Sequence, residues 1–128
     1  MLPNLARLAP TGGGVGGDGL GGGQSDQQLR KAYEEAVEKV EYLELARAWR
    51  RREYVNVRRR TDQARTDMLI ALRHRDDGVT DLAAVYSRLI DEMTATRTQY
   101  QEAEAAHEEA TMHRDELREK MRERGLLP

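Results

Sequence analysis

Small and apolar residues recur at alternating spacings of four and three on both sides of Gly78, over residues 29–75 and 82–121. This spacing is typical of helices that pack against another helix along one stripe. When the two segments fold back on each other, a positions of one meet d positions of the other. The sequence therefore predicts an all-α fold, two long antiparallel helices forming a coiled-coil hairpin. A parallel homodimer of long helices that bend at Gly78 is the alternative. The predicted facing pairs include Tyr54 with Ala103, Thr61 with Thr96 and Arg50 with His107.

Capping residues predict where the helices begin and end. Ser25 and Gln28 have the spacing of a capping box, in which each side chain binds the backbone amide of the other residue. Gly78 can take the left-handed conformation that ends a helix, and Thr80 can cap the next helix. Gly125 is the candidate end of the second helix. The predicted bounds are 26–76 for the first helix, 77–80 for the turn and 81–124 for the second helix, within a hairpin of residues 25–125.

The first 24 residues form a segment of different composition. Glycine predominates from Thr11 to Gly23, which is typical of a flexible linker. Ahead of it, Leu2, Leu5 and Leu8 recur three apart between two prolines. We interpret residues 1–24 as a flexible Gly-rich tail with a short Leu-containing docking peptide. A disordered terminus without a docking role is the alternative.

Composition leaves little material for a compact core, because 34% of the residues are charged, 5% are aromatic and none is Phe. Part of the stability is therefore expected from a protein partner, which includes a second copy of the chain. The net charge of -2 gives no general attraction to nucleic acid or to acidic membranes. Cysteine is absent and no apolar run approaches the ~18 residues of a membrane span, so we expect a soluble, intracellular and most simply cytoplasmic protein without membrane contact.

The buried stripe is predicted to be widest beside the turn. Leu69, Ile70 and Leu72 adjoin the stripe of the first helix there, and Val85 and Ile90 adjoin that of the second. The turn end is therefore predicted to be the best-packed part of the hairpin.

A second apolar set lies on the side of the first helix that faces away from the hairpin partner. It consists of Tyr42, Leu45 and Trp49, which also follow helical spacing. The hairpin itself needs only one stripe, and exposed aromatic patches mark protein interfaces. We predict that these three residues lie in a protein interface, with incidental surface apolarity as the alternative.

Residues 47–60 contain seven arginines and one acid. Three uses of this charge are open: pairing with acids of the second helix, such as Arg51 with Glu104, binding an acidic protein partner, or binding nucleic-acid phosphates. Arg47 and Arg50 fall in the heptad stripe, where unpaired buried charge is costly, so either the hairpin opens there and water reaches them or a protein partner supplies acids. We favour the second alternative and predict that both lie in a protein interface. The candidate contacts to nucleic acid or to an acidic partner are Arg51, Arg52, Arg58, Arg59 and Arg60.

No group of residues in the sequence predicts catalysis, a cofactor or a metal. Glu104 and His107 have the Glu-x-x-His spacing of helical di-iron sites, but the motif occurs singly. The glycine run precedes no strand and lacks the lysine of a phosphate-binding loop, and no nucleophile stands beside a base in a predicted cavity. We predict a non-enzymatic protein without a small-molecule substrate.

Three acids, Asp76, Asp77 and Asp81, lie at the predicted turn. In hairpin shape and in these tip acids, the chain resembles transcription factors that insert an antiparallel coiled coil into the secondary channel of RNA polymerase and present acids to its catalytic magnesium. The resemblance implies a hairpin that regulates a polymerase. The other residues offer no counterpart of the second globular domain of that group, and turn chemistry by itself explains the aspartates.

The functional hypothesis is a structural or adaptor subunit of a larger protein assembly, acting through coiled-coil and outer-face helix contacts. A nucleic-acid-binding helical protein that uses Arg47–Arg60 is the first alternative. A hairpin whose acidic tip regulates a polymerase is the second. All three start from the same hairpin and differ in which exposed side chains meet the partner.

Overall fold

The computed structural model of this chain describes residues 24–127. Two α-helices account for nearly all of them: α1 spans Asp26–Arg73 and α2 spans Val79–Glu123. The two helices pack against each other, and residues 24–127 contain no strand. This arrangement confirms the predicted all-α hairpin. Leu2, Leu5 and Leu8 lie outside the described residues, so the docking peptide stays a prediction.

Capping contacts hold the start of α1 and the end of α2. The amide of Ser25 donates to Gln28 Oε1 over 3.0 Å, and the amide of Gln28 donates to Ser25 Oγ over 3.2 Å. These two bonds are the predicted capping box. After α2, Gly125 has a φ of 69°, and the amide of Leu126 donates to the carbonyl of Met121 over 2.9 Å, which closes a Schellman motif. Both predicted ends are confirmed to within one residue.

The connection between the helices comes earlier in the chain than predicted. Helix α1 ends at Arg73 and α2 begins at Val79, so the connection covers residues 74–78 rather than 77–80. Its left-handed residue is Arg75, with a φ of 52°, whereas Gly78 was predicted to fill this role. The amide of Asp76 donates to the carbonyl of Ala71 over 2.9 Å, and this bond closes a Schellman motif around Arg75.

The earlier turn changes which residues face each other within the pair of helices. Tyr54 was predicted opposite Ala103 but stacks on Tyr100, with ring centroids 6.3 Å apart. Thr61 was predicted opposite Thr96, but its hydroxyl lies 3.4 Å from the carbonyl oxygen of Leu89. The predicted register is therefore wrong, although the predicted stripe is buried. The stripe is buried in spite of the wrong register, because a shift of one heptad again places a positions of one helix opposite d positions of the other.

The helices contribute to two compact units. The terminal unit comprises the described residues up to Ala46 and from Ala105 onward, and the turn unit comprises Arg47–Glu104. In the terminal unit, large apolar side chains fill the stripe and Leu126 packs against them. One cluster is Leu29, Ala36, Leu117 and Met121, and the other is Val40, Leu43 and Ala110.

The turn unit buries mainly small residues. Val57 and Leu89 are the only large apolar side chains buried in this unit, and its other buried residues are alanine and threonine. Leu69, Ile70 and Leu72 are 48%, 51% and 52% exposed, so the prediction that they widen the buried stripe is wrong. Their positions lie outside the a and d series, and one facing helix covers little beyond that series.

Candidate interaction surface

A groove lined by arginines runs along α1 in the turn unit. Its α1 residues follow two rows with a spacing of four, which places them on one side of the helix, and Tyr100 of α2 forms its opposite wall. We call this surface the arginine groove. It is lined by Arg47, Ala48, Arg51, Arg52, Val55, Asn56, Arg59 and Tyr100.

Tyr100 is held in place at the groove wall by two contacts. Its ring stacks on that of Tyr54, with an angle of 19° between the ring planes. Its hydroxyl donates a hydrogen bond to the carboxylate of Glu104, and this bond is the main reason that the pKa of Tyr100 is raised. Desolvation adds to the rise, while the positive charges of Arg51 and Arg47 oppose it. The groove therefore has a partly apolar wall on the side of α2.

Most arginines around the groove keep their charge unpaired. Among residues 24–127, the exposed side chains of Arg51, Arg52, Arg58 and Arg59 form no ion pair. The predicted pairing of Arg51 with Glu104 is absent from the described residues, and that carboxylate accepts the Tyr100 hydroxyl. The shifted register explains the difference, since it moves the acids of α2 along α1. These four arginines are free to meet a partner.

Arg60 is the fifth candidate contact and is loosely paired. Its Nη1 lies 3.6 Å from Glu92 Oε1, and both side chains are exposed. An exposed pair at this distance contributes little to stability and exchanges readily with another anion. Arg60 therefore remains available to an acidic partner or to a phosphate.

Arg50 has its partners within the turn unit. Its Nη1 lies 3.1 Å from Glu53 Oε2 and 3.1 Å from Gln99 Oε1, and 18% of its side chain is exposed. The predicted position opposite His107 is wrong. Its Nε is buried and has no hydrogen-bond partner among the described residues. Glu53 thus balances the charge of Arg50 without acids from another protein. The buried Nε of Arg50 still lacks an acceptor within residues 24–127, which is costly for a buried donor.

The three residues of the predicted second apolar set, Tyr42, Leu45 and Trp49, are exposed to very different degrees. In the terminal unit, Leu45 is 71% exposed, while Tyr42 is half-buried and packs against the Val40 cluster. In the turn unit, Trp49 is 41% exposed. Leu45 and Trp49 are therefore accessible as contacts, whereas Tyr42 contributes in part to the hairpin itself.

The sequence missed one exposed apolar surface. Leu69, Ile70 and Leu72 lie in the last turns of α1, beside the connection. The signal that could have found them is their place outside the a and d positions, because a hairpin has no third helix to cover them. Tyr42, Leu45 and Trp49 were predicted to face away from α2 for the same reason, because they lie outside the a and d positions.

Asp76 of the tip acids and Glu104 of the Glu-x-x-His spacing each accept a hydrogen bond. Asp76 Oδ1 accepts the amide of Gly78 over 2.8 Å, while Asp77 and Asp81 are exposed. Glu104 accepts the Tyr100 hydroxyl. In the part of the chain that the structure describes, no group of three or more His, Cys, Asp or Glu side chains could hold a metal ion.

Neither α1 nor α2 has a stretch apolar enough to cross a bilayer.

Comparisons with protein-family models, with curated proteins and with solved structures found no match to this chain. The exposed side chains are therefore the basis on which a function is inferred. Two surfaces of the turn unit stand out in this respect: the arginine groove and the apolar side chains beside the connection.

Proposed function

We propose that this chain is a non-enzymatic adaptor subunit of a larger protein assembly, and that its arginine groove binds an acidic helical segment of a partner protein. The observation that carries the proposal is the set of unpaired arginines, Arg51, Arg52 and Arg59, in a groove that also has apolar lining. We place this adaptor in the cytoplasm as part of the same proposal.

The lining suits an amphipathic helix because it offers two kinds of contact side by side. Ala48, Val55 and the ring of Tyr100 form the apolar part of the lining. Guanidinium groups around them can each bind a carboxylate through two parallel hydrogen bonds. A helix that carries acids beside an apolar stripe satisfies both, and Trp49 in the same unit is an exposed aromatic side chain of the type that dominates binding energy.

Nucleic acid is the second candidate, favoured by the exposed arginines Arg58 and Arg59 next to Arg60. Proteins that bind single strands usually add aromatic rings on which bases stack. In this groove the aromatic ring is Tyr100, which is already stacked on Tyr54. Tyr54 covers one face of this ring, and Ala48 and Val55 beside it offer apolar contacts that suit a helix, so we prefer an acidic helix.

The remaining predicted contacts stay part of the proposal. Leu45 and Trp49 are exposed, and each would add an apolar contact to a protein partner. Arg47 also lines the groove. Leu2, Leu5 and Leu8 would form a second contact, because a peptide tethered by a linker has a high effective concentration at a nearby site.

The test is fluorescence anisotropy of the full chain with two labelled probes of equal negative charge. One probe is an amphipathic helical peptide with glutamates beside a leucine stripe, and the other is a single-stranded DNA oligonucleotide. The test variant is Arg51→Glu with Arg52→Glu, and the charge-matched control is Arg65→Glu with Arg88→Glu, two exposed arginines that do not line the groove.

We expect the wild-type chain to bind the peptide more tightly than the DNA. The groove variant should weaken peptide binding at least about tenfold, while the control changes it by less than about threefold. Tighter binding of DNA, with an affinity that falls with salt by a slope of about 0.7 per phosphate contacted, would establish the second candidate instead. Equal losses in both variants would show that general charge, not the groove, attracts the peptide.

A further inference from the structure

We propose that the turn unit also carries a self-association surface, which binds the same surface of a second copy of the chain. It consists of Leu69 and Leu72 together with charged residues in and beside the connection. We call it the turn surface. It is separate from the arginine groove, and the inference does not depend on the proposed function.

The apolar part of the turn surface is unusual for an exposed helix end. Leu69 and Leu72 are three residues apart, so they lie on the same face of α1, and each is about half exposed. Ile70 is equally exposed, but it lies on the side of the helix away from Leu72. Single exposed leucines are common on protein surfaces, but neighbouring ones mark an interface. Their burial in a second molecule would remove apolar area from water, which is the main driving force for association.

The charges beside these side chains indicate which partner fits. Arg73 and Arg75 are basic, while Asp77 and Asp81 are acidic, and all four are exposed. Within residues 24–127 none of the four forms an ion pair. In a two-fold symmetric dimer the same patch meets itself, so a patch that carries both signs allows the acids of one copy to pair with the bases of the other. A partner surface whose charges all had the same sign would be repelled by two of these four residues.

Arg75 and Asp77 lie in the connection, which is held by two hydrogen bonds. Asp76 binds the carbonyl of Ala71 through its amide over 2.9 Å, and its side chain accepts the amide of Gly78 over 2.8 Å. The charged side chains therefore project from a defined turn. Association at such a surface loses less conformational entropy than association of an unstructured loop.

The first test is sedimentation equilibrium of the full chain, whose monomer mass is 14.6 kDa. We expect a mass that rises toward the dimer with concentration. Leu69→Gln with Leu72→Gln should raise the dimer dissociation constant at least about tenfold, because each change acts twice in a symmetric dimer. Leu45→Gln with Met112→Gln, which replaces two exposed apolar residues elsewhere, is the control and should leave it within about threefold.

A chain that remains monomeric up to about 1 mM would overturn the proposal. So would equal losses in the test variant and in the control. Circular dichroism of each variant shows whether the helices are intact. Because glutamine is nearly as good a helix former as leucine, both variants should retain the wild-type helix content.

The second test exchanges charges across the proposed two-fold axis. Arg75→Glu gives the turn surface an excess of acids, and Asp77→Arg gives it an excess of bases. Each variant alone should dimerise about tenfold more weakly than wild type, and an equimolar mixture should recover mixed dimers in native mass spectrometry. Failure of the mixture to associate would contradict the self-complementary arrangement. Arg51→Glu with Arg52→Glu should leave dimerisation unchanged, which separates this surface from the arginine groove.

Discussion

The terminal unit and the turn unit are built from the same two helices and the same heptad stripe, but they fill that stripe differently. The terminal unit buries large side chains, among them Leu29, Leu43 and Leu117. The turn unit buries mostly alanine and threonine, while Leu69 and Trp49 lie on its exterior. The difference shows that a continuous heptad pattern does not imply a uniform core.

The distribution of apolar area has a consequence for where a partner binds. Burial of apolar surface stabilises a fold by about 25 cal/mol per Å², so small buried residues contribute less than leucines at the same positions. In the turn unit the exposed leucines and the unpaired arginines are on the surface, where another molecule can cover them. Among the described residues, the terminal unit has the larger apolar core, and the turn unit exposes more of the large apolar side chains.

The largest expected effect on the free energy of unfolding comes from a substitution that leaves a cavity in the core of the terminal unit. Leu117 is buried in a cluster with Leu29 and Ala36. Leu117→Ala should lower the free energy of unfolding by about 3 kcal/mol, because it removes buried methyl groups and leaves a cavity. Leu45→Ala, at an exposed leucine, should cost less than about 0.5 kcal/mol. Urea denaturation followed by circular dichroism measures both, and equal costs would contradict the burial described for Leu117.

A smaller effect is expected at the cap of α1, which belongs to the terminal unit. Ser25→Ala removes the acceptor for the amide of Gln28, so it should cost about 1 kcal/mol. Amide hydrogen exchange should become faster in the first turn of α1 and remain unchanged in the turn unit. Ser87→Ala, an exposed position inside α2, is the control and should not destabilise the chain.

The buried hydroxyl of Thr61 provides a test in the turn unit. It donates to the carbonyl of Val57 over 2.8 Å, within the same helix. Thr61→Val should raise the free energy of unfolding by about 0.5 kcal/mol, because it replaces a buried polar group by a methyl group. Thr66→Val removes the same kind of bond at an exposed position and should give no gain. A loss above about 1 kcal/mol in Thr61→Val would show that the hydroxyl is essential to this core.

The smallest predicted effect is a change in the ionisation of Tyr100. Its hydrogen bond to Glu104 stabilises the neutral phenol, so the folded chain releases this proton at a higher pH than the unfolded chain. Glu104→Gln should lower the pKa of Tyr100 toward its ordinary value. Carbon NMR of labelled tyrosine rings measures it, and an unchanged pKa would contradict the proposed wall of the arginine groove.

The sequence predicted the features that depend on local chemistry. The capping box of Ser25 and Gln28 and the left-handed Gly125 involve residues close together in the chain, and the structure contains both. The turn was harder to place, because Arg75 and not Gly78 adopts the left-handed conformation. A turn displaced by a few residues shifts the facing residues by twice as many, and a heptad repeat cannot correct an error of one full repeat.

The errors in the candidate site followed from that register. The pairing of Arg51 with Glu104 and the position of Arg50 opposite His107 were derived from it, and the structure contradicts both. The exposure of Leu45 and Trp49 was predicted correctly, because it follows from their place outside the stripe. The same reasoning applied to Leu69 and its neighbours would have found the turn surface.

The most direct test of the difference between the two units is hydrogen exchange of the full chain with and without the acidic helical peptide, read by mass spectrometry. The account predicts added protection in the turn unit, over residues 47–59 and around Tyr100, and none over residues 24–46 or 105–127. Protection confined to the terminal unit, or no protection at a saturating peptide concentration, would contradict it.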